Sequence, residues 1–137
     1  MGNKELIDGL NVSLNREVTT FLRYMLQGAT IKGAQWESVR TMYLQEVADE
    51  VGHAQYLAGK IVMLGGTPKL APDLGAPPTD PCEMLRHDIE EEKKDVVHYM
   101  KLAQLAENEG LFDLKLKMEE QAADEADHAE GMQRLLG

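Results

Sequence analysis

The chain has 137 residues, a formal net charge of -10 at pH 7 and only 5% aromatic residues. This length predicts a single domain, residues 1–137, and the abundance of Leu, Ala, Met, Glu and Lys favours helices over strands. The negative charge argues against binding to nucleic acid or to an anionic membrane surface. The sequence has neither an apolar stretch of membrane-spanning length nor a signal sequence, so we expect a cytoplasmic protein. The single cysteine, Cys82, agrees with a reducing compartment.

The first predicted helix covers about residues 4–27 and ends where Gly28 and Gly33 bracket a short connection. Residues spaced alternately by three and four form one helix face that is turned toward neighbouring helices. In this helix the face consists of Ile7, Leu10, Leu14, Glu17, Phe21 and Tyr24. Glu17 is a carboxylate where an apolar residue is expected; taken alone, a glutamate just off the edge of the core, with its stem buried, is the explanation we favour.

The second predicted helix covers about residues 35–64 and is ended by Gly65 and Gly66. Within it, Glu50 and His53 are three residues apart, so both lie on the same face. Gly52 weakens the helix and predicts a close approach by another helix or side chain. The inward face consists of Val39, Tyr43, Glu46, Glu50, His53, Leu57 and Leu64.

The segment 67–80 contains four of the five prolines and cannot be helical throughout. Fully extended, it reaches about 45 Å, whereas a helix of some 27 residues is about 40 Å long. It can therefore run the whole length of a helix, while the connections at residues 28–34 and 108–110 are short enough to join antiparallel neighbours. The fold class predicted is all-α: a four-helix bundle of two antiparallel helix hairpins joined by a long crossover.

The third predicted helix covers about residues 81–108, with Asp80 as its N-cap and Pro81 at its first position. A carboxylate, Glu92, again interrupts an apolar face. That face consists of Leu85, Ile89, Glu92, Val96, Tyr99, Ala103 and Ala106. We expect the charged residues around it to be solvated, and the histidines off this face to be surface histidines: Glu90, Glu91, Lys93, Lys94, His87 and His98.

The fourth predicted helix covers about residues 111–135, and its face carries a second Glu-x-x-His pair, Glu125 and His128. Burying such groups without partners would cost several kcal/mol, and a metal ion would satisfy them. Apolar residues hold both ends of the face, which consists of Leu111, Leu114, Met118, Gln121, Glu125, His128, Met132 and Leu135.

The interruptions of the four faces fall near the middle of each helix, so the topology lets them meet in one layer. Single glutamates alternate with Glu-x-x-His pairs, which is the pattern of a four-helix dimetal site. Four carboxylates and two imidazoles neutralise two divalent cations and suit iron, with manganese as the alternative. The predicted metal ligands are Glu17, Glu50, His53, Glu92, Glu125 and His128.

Four segments carry a resemblance to the ferritin superfamily, and to bacterioferritin above all: LNREVTTFLRYMLQGA, YLQEVADEVGHAQYL, EMLRHDIEEE and DEADHAEGM. The resemblance implies a ferritin-like bundle with two Fe ions per chain. It further implies that Glu50 and Glu125 bridge the metals, that Glu17 and Glu92 are terminal ligands and that His53 and His128 are the nitrogen ligands. Tyr24 matches a family tyrosine near the di-iron centre that is thought to assist electron transfer; a core tyrosine without that role is the alternative.

Five positions bear on how far the resemblance extends. Val51 stands where bacterioferritin has its haem-ligating methionine, so we expect no haem in that mode. Glu46 and Asp49 match carboxylates of the family's inner-surface iron site, but Gln45 replaces its histidine, which puts that site in doubt. Asp95 lies near where rubrerythrin-like proteins place an additional carboxylate ligand, and we favour a surface aspartate.

The resemblance implies a ferroxidase that oxidises Fe(II) to Fe(III) with dioxygen or peroxide, for iron storage and detoxification, in a homo-oligomer. The sequence stops at Gly137, where the family carries a short fifth helix that helps to close its cage, so a cage is less secure than the metal site. One alternative is a rubrerythrin-like peroxide reductase in a small oligomer, although that family's four-cysteine module is absent and only Cys82 is present. A second is a non-enzymatic acidic helical bundle, in which leucine at Glu50 and Glu125 would leave the bundle intact or stabilise it.

Overall fold

The computed structural model describes residues 2–137, and this part of the chain forms four long helices with no strands. They are α1 (Gly2–Thr30), α2 (Glu37–Met63), α3 (Pro81–Asn108) and α4 (Phe112–Leu136), with one 3₁₀ turn at Ala34–Trp36. The predicted all-α bundle is confirmed, and each predicted helix end lies within three residues of the observed one. The Asp80 side chain caps α3 by accepting a hydrogen bond from the Glu83 backbone N–H, as predicted.

The helices form two hairpins, α1 with α2 and α3 with α4, which pack against each other mainly through α1 and α3. Two apolar clusters fill the bundle. One is built around Leu6, Leu57 and Leu114, and the other around Tyr24, Ile89 and Met132. Each helix contributes to both clusters, and the acidic residues predicted as ligands lie between its two contributions.

The crossover between α2 and α3 runs along the outer side of α1 and is held there by two asparagines one helical turn apart. Asn11 donates to the Thr67 carbonyl at 3.1 Å and accepts from the Lys69 N–H at 2.9 Å. Asn15 donates to the Lys69 carbonyl at 2.8 Å and accepts from the Ala71 N–H at 2.5 Å. Because an amide side chain offers both a donor and an acceptor, it can pair with an extended backbone as a neighbouring strand would.

Three local predictions were wrong. The first helix does not end at Gly28, since α1 continues to Thr30. Gly28 instead lies where the helices approach closely, because an added Cβ would come within 2.5 Å of Leu44 Cδ2 of α2. Gly52 does not mark a close approach: among residues 2–137 an added Cβ there would meet no neighbouring helix or side chain within 4 Å. Leu135 is 39% exposed rather than inward, because the inward face of α4 continues from Met132 to Leu136, which packs against the second cluster.

The buried face of α1 also differs from the predicted face. Leu6 and Thr20 are buried, whereas Ile7 and Phe21 are only half-buried. This face is wider than a seam against one partner because α1 contacts both α2 and α3. Within residues 2–137, no helix has the combination of length and apolar character needed to cross a membrane.

Candidate metal centre

All six predicted ligands meet in one layer at the middle of the bundle. They form two groups of four, in each of which one ligand atom per residue lies within 4.8 Å of the others. Glu17 and His53 belong to the first group, and Glu92 and His128 to the second. Glu50 and Glu125 belong to both groups, which is the arrangement that two carboxylates bridging a pair of cations require.

The imidazoles face the carboxylates through their Nδ1 atoms. His53 Nδ1 lies 3.3 Å from Glu17 Oε2 and 3.3 Å from Glu125 Oε1. His128 Nδ1 lies 3.0 Å from Glu50 Oε1 and 3.5 Å from Glu125 Oε1. Each histidine is therefore placed to offer a nitrogen to the same space as the two shared glutamates.

Burial of these polar side chains costs free energy unless a cation is bound. The four glutamates are 0% exposed, and His53 and His128 are 6% and 7% exposed. Within the described part of the chain, seven of their carboxylate oxygens and both Nδ1 atoms are buried without a hydrogen-bond partner. An unsatisfied buried charge costs several kcal/mol, and hard oxygen donors with imidazole nitrogens are ligands that iron accepts. The residues therefore fit a pair of divalent cations.

The pKa values indicate which side chains of the layer hold protons when no cation is bound. Burial, with the Glu17 carboxylate next, raises the pKa of Glu50 well above its ordinary value, and burial and the same carboxylate do so for Glu125. Burial opposes protonation of His128, but its contacts with Glu50 and Glu92 dominate and raise its pKa to about 12. Cations that bind this layer would therefore displace protons from Glu50, Glu125 and His128.

The outer nitrogens of both histidines are held by aspartates. His53 Nε2 lies 2.8 Å from Asp124 Oδ2, and His128 Nε2 lies 3.1 Å from Asp49 Oδ2. Asp124 directly precedes Glu125 on α4, and Asp49 directly precedes Glu50 on α2. Each aspartate thus lies on the helix opposite the histidine that it contacts. A carboxylate on the outer N–H fixes the ring so that the other nitrogen is free to bind a metal.

The contact of Asp49 and Asp124 with the outer nitrogens of the histidines was not predicted from the sequence. A signal was available, because the repeated unit is Asp-Glu-x-x-His in both helices, at residues 49–53 and 124–128. Asp49 was considered only as a part of an inner-surface iron site. In the structure it contacts His128, while Glu46 is buried beside the same ring, with its Oε2 4.0 Å from His128 Nδ1.

Two ion pairs tie α1 to α3 on the flank of the layer. Arg16 Nε lies 2.5 Å from Asp95 Oδ1, and Arg23 Nε lies 2.8 Å from Asp88 Oδ1. The prediction that Asp95 is a surface aspartate was wrong, since it is 2% exposed and paired with Arg16. Burial, followed by the charge of Glu17, raises the pKa of Asp95 to about 7 against the opposing effect of Arg16.

The residues of α3 that were predicted to lie at the surface are exposed or half-buried in the structure. Glu90, Lys93 and Lys94 are exposed, and Glu91 is half-buried. His87 is exposed, while His98 is half-buried, and neither belongs to the two ligand groups found among the described residues.

Tyrosines contact the layer from both sides. Tyr24 is 0% exposed, and its hydroxyl donates a hydrogen bond to Glu92 Oε1. Tyr99 is 1% exposed, and its ring meets that of His53 edge-on at 6.2 Å between centroids. Tyr24 thus lies beside the layer, and its part in electron transfer stays a prediction.

Comparison with known proteins gives a consistent result. A family model described as a ferritin-like domain matches residues 7–137, a range that contains all six cluster residues. The chain is 30% identical to a curated relative, the bacterial ferritin of Pseudomonas aeruginosa, over 99% of this chain and 89% of that protein.

Among solved structures, a ferritin-like, diiron-carboxylate protein from Bacillus anthracis str. Ames is 36% identical, with a TM-score of 0.95 over 100% of this chain and 99% of that chain. A dodecameric thioferritin from Bacteroides fragilis shares the fold at 24% identity and a TM-score of 0.84, over 98% of this chain and 85% of that chain.

Proposed function

This chain belongs to the ferritin-like domain family, and on that premise we propose that its buried layer binds two iron ions and oxidises Fe(II) to Fe(III). The observation that carries the proposal is the set of inward-facing ligand atoms. Among the six clustered residues, seven carboxylate oxygens and two imidazole nitrogens are buried without a hydrogen-bond partner in the described part of the chain. Two cations would satisfy these atoms together. Without cations, burying so many polar atoms in the core would cost several kcal/mol.

The six residues divide the work of holding the iron. Glu17 and His53 would hold one ion, Glu92 and His128 would hold the other, and Glu50 and Glu125, which belong to both groups, would be shared. Asp124 and Asp49 keep the two histidines oriented. The protein supplies fixed positions and low solvent access, and the iron supplies the electrons.

The electron balance names the oxidant class. Two Fe(II) ions release two electrons, which reduce one dioxygen to hydrogen peroxide or one hydrogen peroxide to two water molecules; two protons are taken up in either case. Tyr24, whose hydroxyl donates to Glu92, is the residue best placed to exchange an electron and a proton with the site.

Storage in a homo-oligomer is the second part of the proposal. The Pseudomonas aeruginosa relative is a bacterial ferritin, and the Bacillus anthracis neighbour is a diiron-carboxylate protein, as their names state. The outer surface also leaves large apolar side chains exposed, which contacts between subunits would cover. They include Met25, Leu26, Leu44, Val62, Met63, Val97 and Met100.

The test is an anaerobic Fe(II) titration of the metal-free protein followed by exposure to air, with Fe(III) recorded in the near ultraviolet and the mass of the assembly measured on the same sample. We expect binding to saturate at two Fe(II) per chain and oxidation to follow on exposure. Glu125→Ala removes a shared ligand and should abolish stoichiometric binding, whereas the matched control Asp127→Asn changes an exposed carboxylate of the same helix and should bind normally.

The outcome also separates the alternatives. Continued iron uptake beyond two per chain in a large assembly supports storage. Oxidation that stops at two per chain in a small oligomer would contradict storage and favour a peroxide reductase. Absence of Fe(II) binding in the wild-type protein would contradict both and leave a non-enzymatic bundle.

A further inference from the structure

A second buried tyrosine extends from Tyr24 away from the metal centre. Tyr24 and Tyr43 are both 0% exposed, and their ring centroids are 5.0 Å apart at an interplanar angle of 55°. The Tyr24 hydroxyl donates to Glu92 of the cluster, and the Tyr43 hydroxyl donates to Asp88 Oδ2 at 2.7 Å. The two rings therefore form a continuous path from a metal ligand to a carboxylate outside the cluster.

Asp88 is an unusually well-fixed acceptor at the outer end of this path. Besides Tyr43, Arg23 Nε donates to it at 2.8 Å and Gln27 Nε2 at 2.9 Å. The ring of His87, which is exposed, covers it with Nδ1 at 3.2 Å from Oδ1. A buried tyrosine needs a partner for its hydroxyl, but a phenol donating to a held carboxylate also has a ready acceptor for its proton when it is oxidised.

We propose that Tyr43 is a second redox-active tyrosine, which takes an oxidising equivalent from Tyr24 and holds it away from the metal centre. The inference rests on the proposed function, because the oxidising equivalent arises when hydrogen peroxide meets a site that contains one Fe(II). Reduction of hydrogen peroxide to water takes two electrons, and one Fe(II) supplies only one. The tyrosine pair supplies the second.

The step balances as follows in atoms and electrons. Hydrogen peroxide takes one electron from Fe(II), one from Tyr24 and two protons from solvent, and it leaves as two water molecules. Tyr24 passes its phenolic proton to Glu92 as it is oxidised. An electron then moves from Tyr43 to Tyr24, which recovers the proton from Glu92, while the O–H bond of Tyr43 breaks and its proton binds Asp88 Oδ2. The products are Fe(III), a Tyr43 radical and a protonated Asp88.

The opposite side of the layer lacks such a path and supplies a matched control. Tyr99 is as buried as Tyr43 and contacts His53, but its hydroxyl has no hydrogen-bond partner in the described residues. Its ring pairs with no second tyrosine among residues 2–137. An oxidising equivalent on Tyr99 would have no next ring, and the carboxylate that its hydroxyl approaches, Glu17, belongs to the cluster rather than lying outside it.

The experiment is freeze-quench electron paramagnetic resonance on metal-free protein loaded anaerobically with one Fe(II) per chain and mixed with one equivalent of hydrogen peroxide. Wild type should give a tyrosyl radical. Tyr43→Phe should replace its hyperfine pattern by a different one, from a radical confined to Tyr24, and Tyr24→Phe should lose the signal because the entry point is gone. Tyr99→Phe should reproduce the wild-type spectrum.

Two results would overturn the inference while leaving the proposed function intact: a Tyr43→Phe spectrum identical to wild type, or an undiminished signal in Tyr24→Phe, each with normal Fe(III) formation on the same sample. Failure of wild type to form Fe(III) would overturn the proposed function itself, and the inference with it. Should Tyr43→Phe fail to fold, the wild-type protein is cycled repeatedly with peroxide and its oxidised peptides are mapped by mass spectrometry. Modification of Tyr43 in excess of Tyr99 supports the relay, and the reverse order contradicts it.

Discussion

At the scale of single residues, two carboxylates outside the six clustered residues contact the histidines of the layer: Asp124 contacts His53, and Asp49 contacts His128. Asp124 accepts from His53 Nε2 at 2.8 Å, which leaves Nδ1 as the nitrogen that faces the layer. We predict that Asp124→Ala weakens binding of Zn²⁺, used as a redox-inert probe, by about 10- to 100-fold, because the ring loses its orientation and part of its basicity. Isothermal titration calorimetry on the metal-free protein measures this directly.

Two comparisons make that prediction specific. Asp124→Asn retains an oxygen that can accept from His53 and should recover part of the affinity. Asp127→Ala changes an exposed carboxylate of the same helix and should leave the affinity unchanged. Equal losses in Asp124→Ala and Asp127→Ala would mean that general negative charge, rather than ring orientation, governs binding.

Asp95 predicts how stability depends on pH in the absence of metal. Burial and Glu17 raise its pKa to about 7 in the folded protein, above the value near 4 of an unfolded aspartate. The folded state therefore binds the extra proton between these values, so its stabilising effect is complete below pH 4 and is lost as the pH rises to 7. We predict that the free energy of unfolding of metal-free protein falls from pH 5 to pH 8, and that Asp95→Asn reduces this fall by about 2 kcal/mol.

Urea denaturation of both proteins at the two pH values provides the measurement. The asparagine oxygen can still accept from Arg16, so the variant is expected to fold. Asp127→Asn, changed at an exposed position of α4, should retain the full fall. A fall in Asp95→Asn as large as in wild type would show that other groups, such as Glu46, whose burial raises its pKa to about 8, carry the whole effect.

At the scale of elements, the crossover is attached to α1 by side chains rather than by a sheet. Asn15 alone makes two hydrogen bonds to the crossover backbone, at Lys69 and Ala71. We predict that Asn15→Ala lowers the free energy of unfolding by about 1 kcal/mol, since two bonds worth roughly 0.5–1.5 kcal/mol each are lost and part is regained from the higher helix propensity of alanine.

Limited trypsin digestion gives a second, local measure of that change, because Lys69 lies in the released segment and its peptide bond should be cut faster. Gln55→Ala, at an exposed position of α2, is the matched control and should neither lower stability nor speed cleavage. An unchanged cleavage rate in Asn15→Ala would show that packing rather than these hydrogen bonds retains the crossover.

The same elements show what periodicity can and cannot predict. The spacing of three and four predicted all six residues that meet in the buried layer, because a helix places such residues on one face whatever its partners are. It missed Asp124 and Asp49, which lie at the edge of that face and reach the histidines from outside. It also missed the pairing of Arg23 with Asp88, since buried polar residues 65 positions apart become compatible only through the tertiary fold.

At the scale of the whole molecule, the acidic layer divides the core into two apolar clusters, so binding and folding stability are coupled. Each hairpin contributes one single glutamate and one Glu-x-x-His unit, and closing the bundle brings them together. Without cations, the folded state confines four carboxylates in a space from which water is excluded. Cations that bind only the folded state are therefore expected to stabilise the bundle.

The double variant Glu50→Leu/Glu125→Leu tests this coupling. Leucine has a similar volume and needs no partner, so we predict that the metal-free variant is at least as stable as metal-free wild type. Zn²⁺ at 100 times its dissociation constant should stabilise wild type by about 2.7 kcal/mol, or roughly 5–10 °C in Tm, and should not move the Tm of the variant. Differential scanning calorimetry with and without Zn²⁺ measures both effects. A metal-free variant that melts well below wild type would show that the protonated carboxylates are a stabilising network in their own right, because the apolar replacements would then remove favourable hydrogen bonds rather than confined charge.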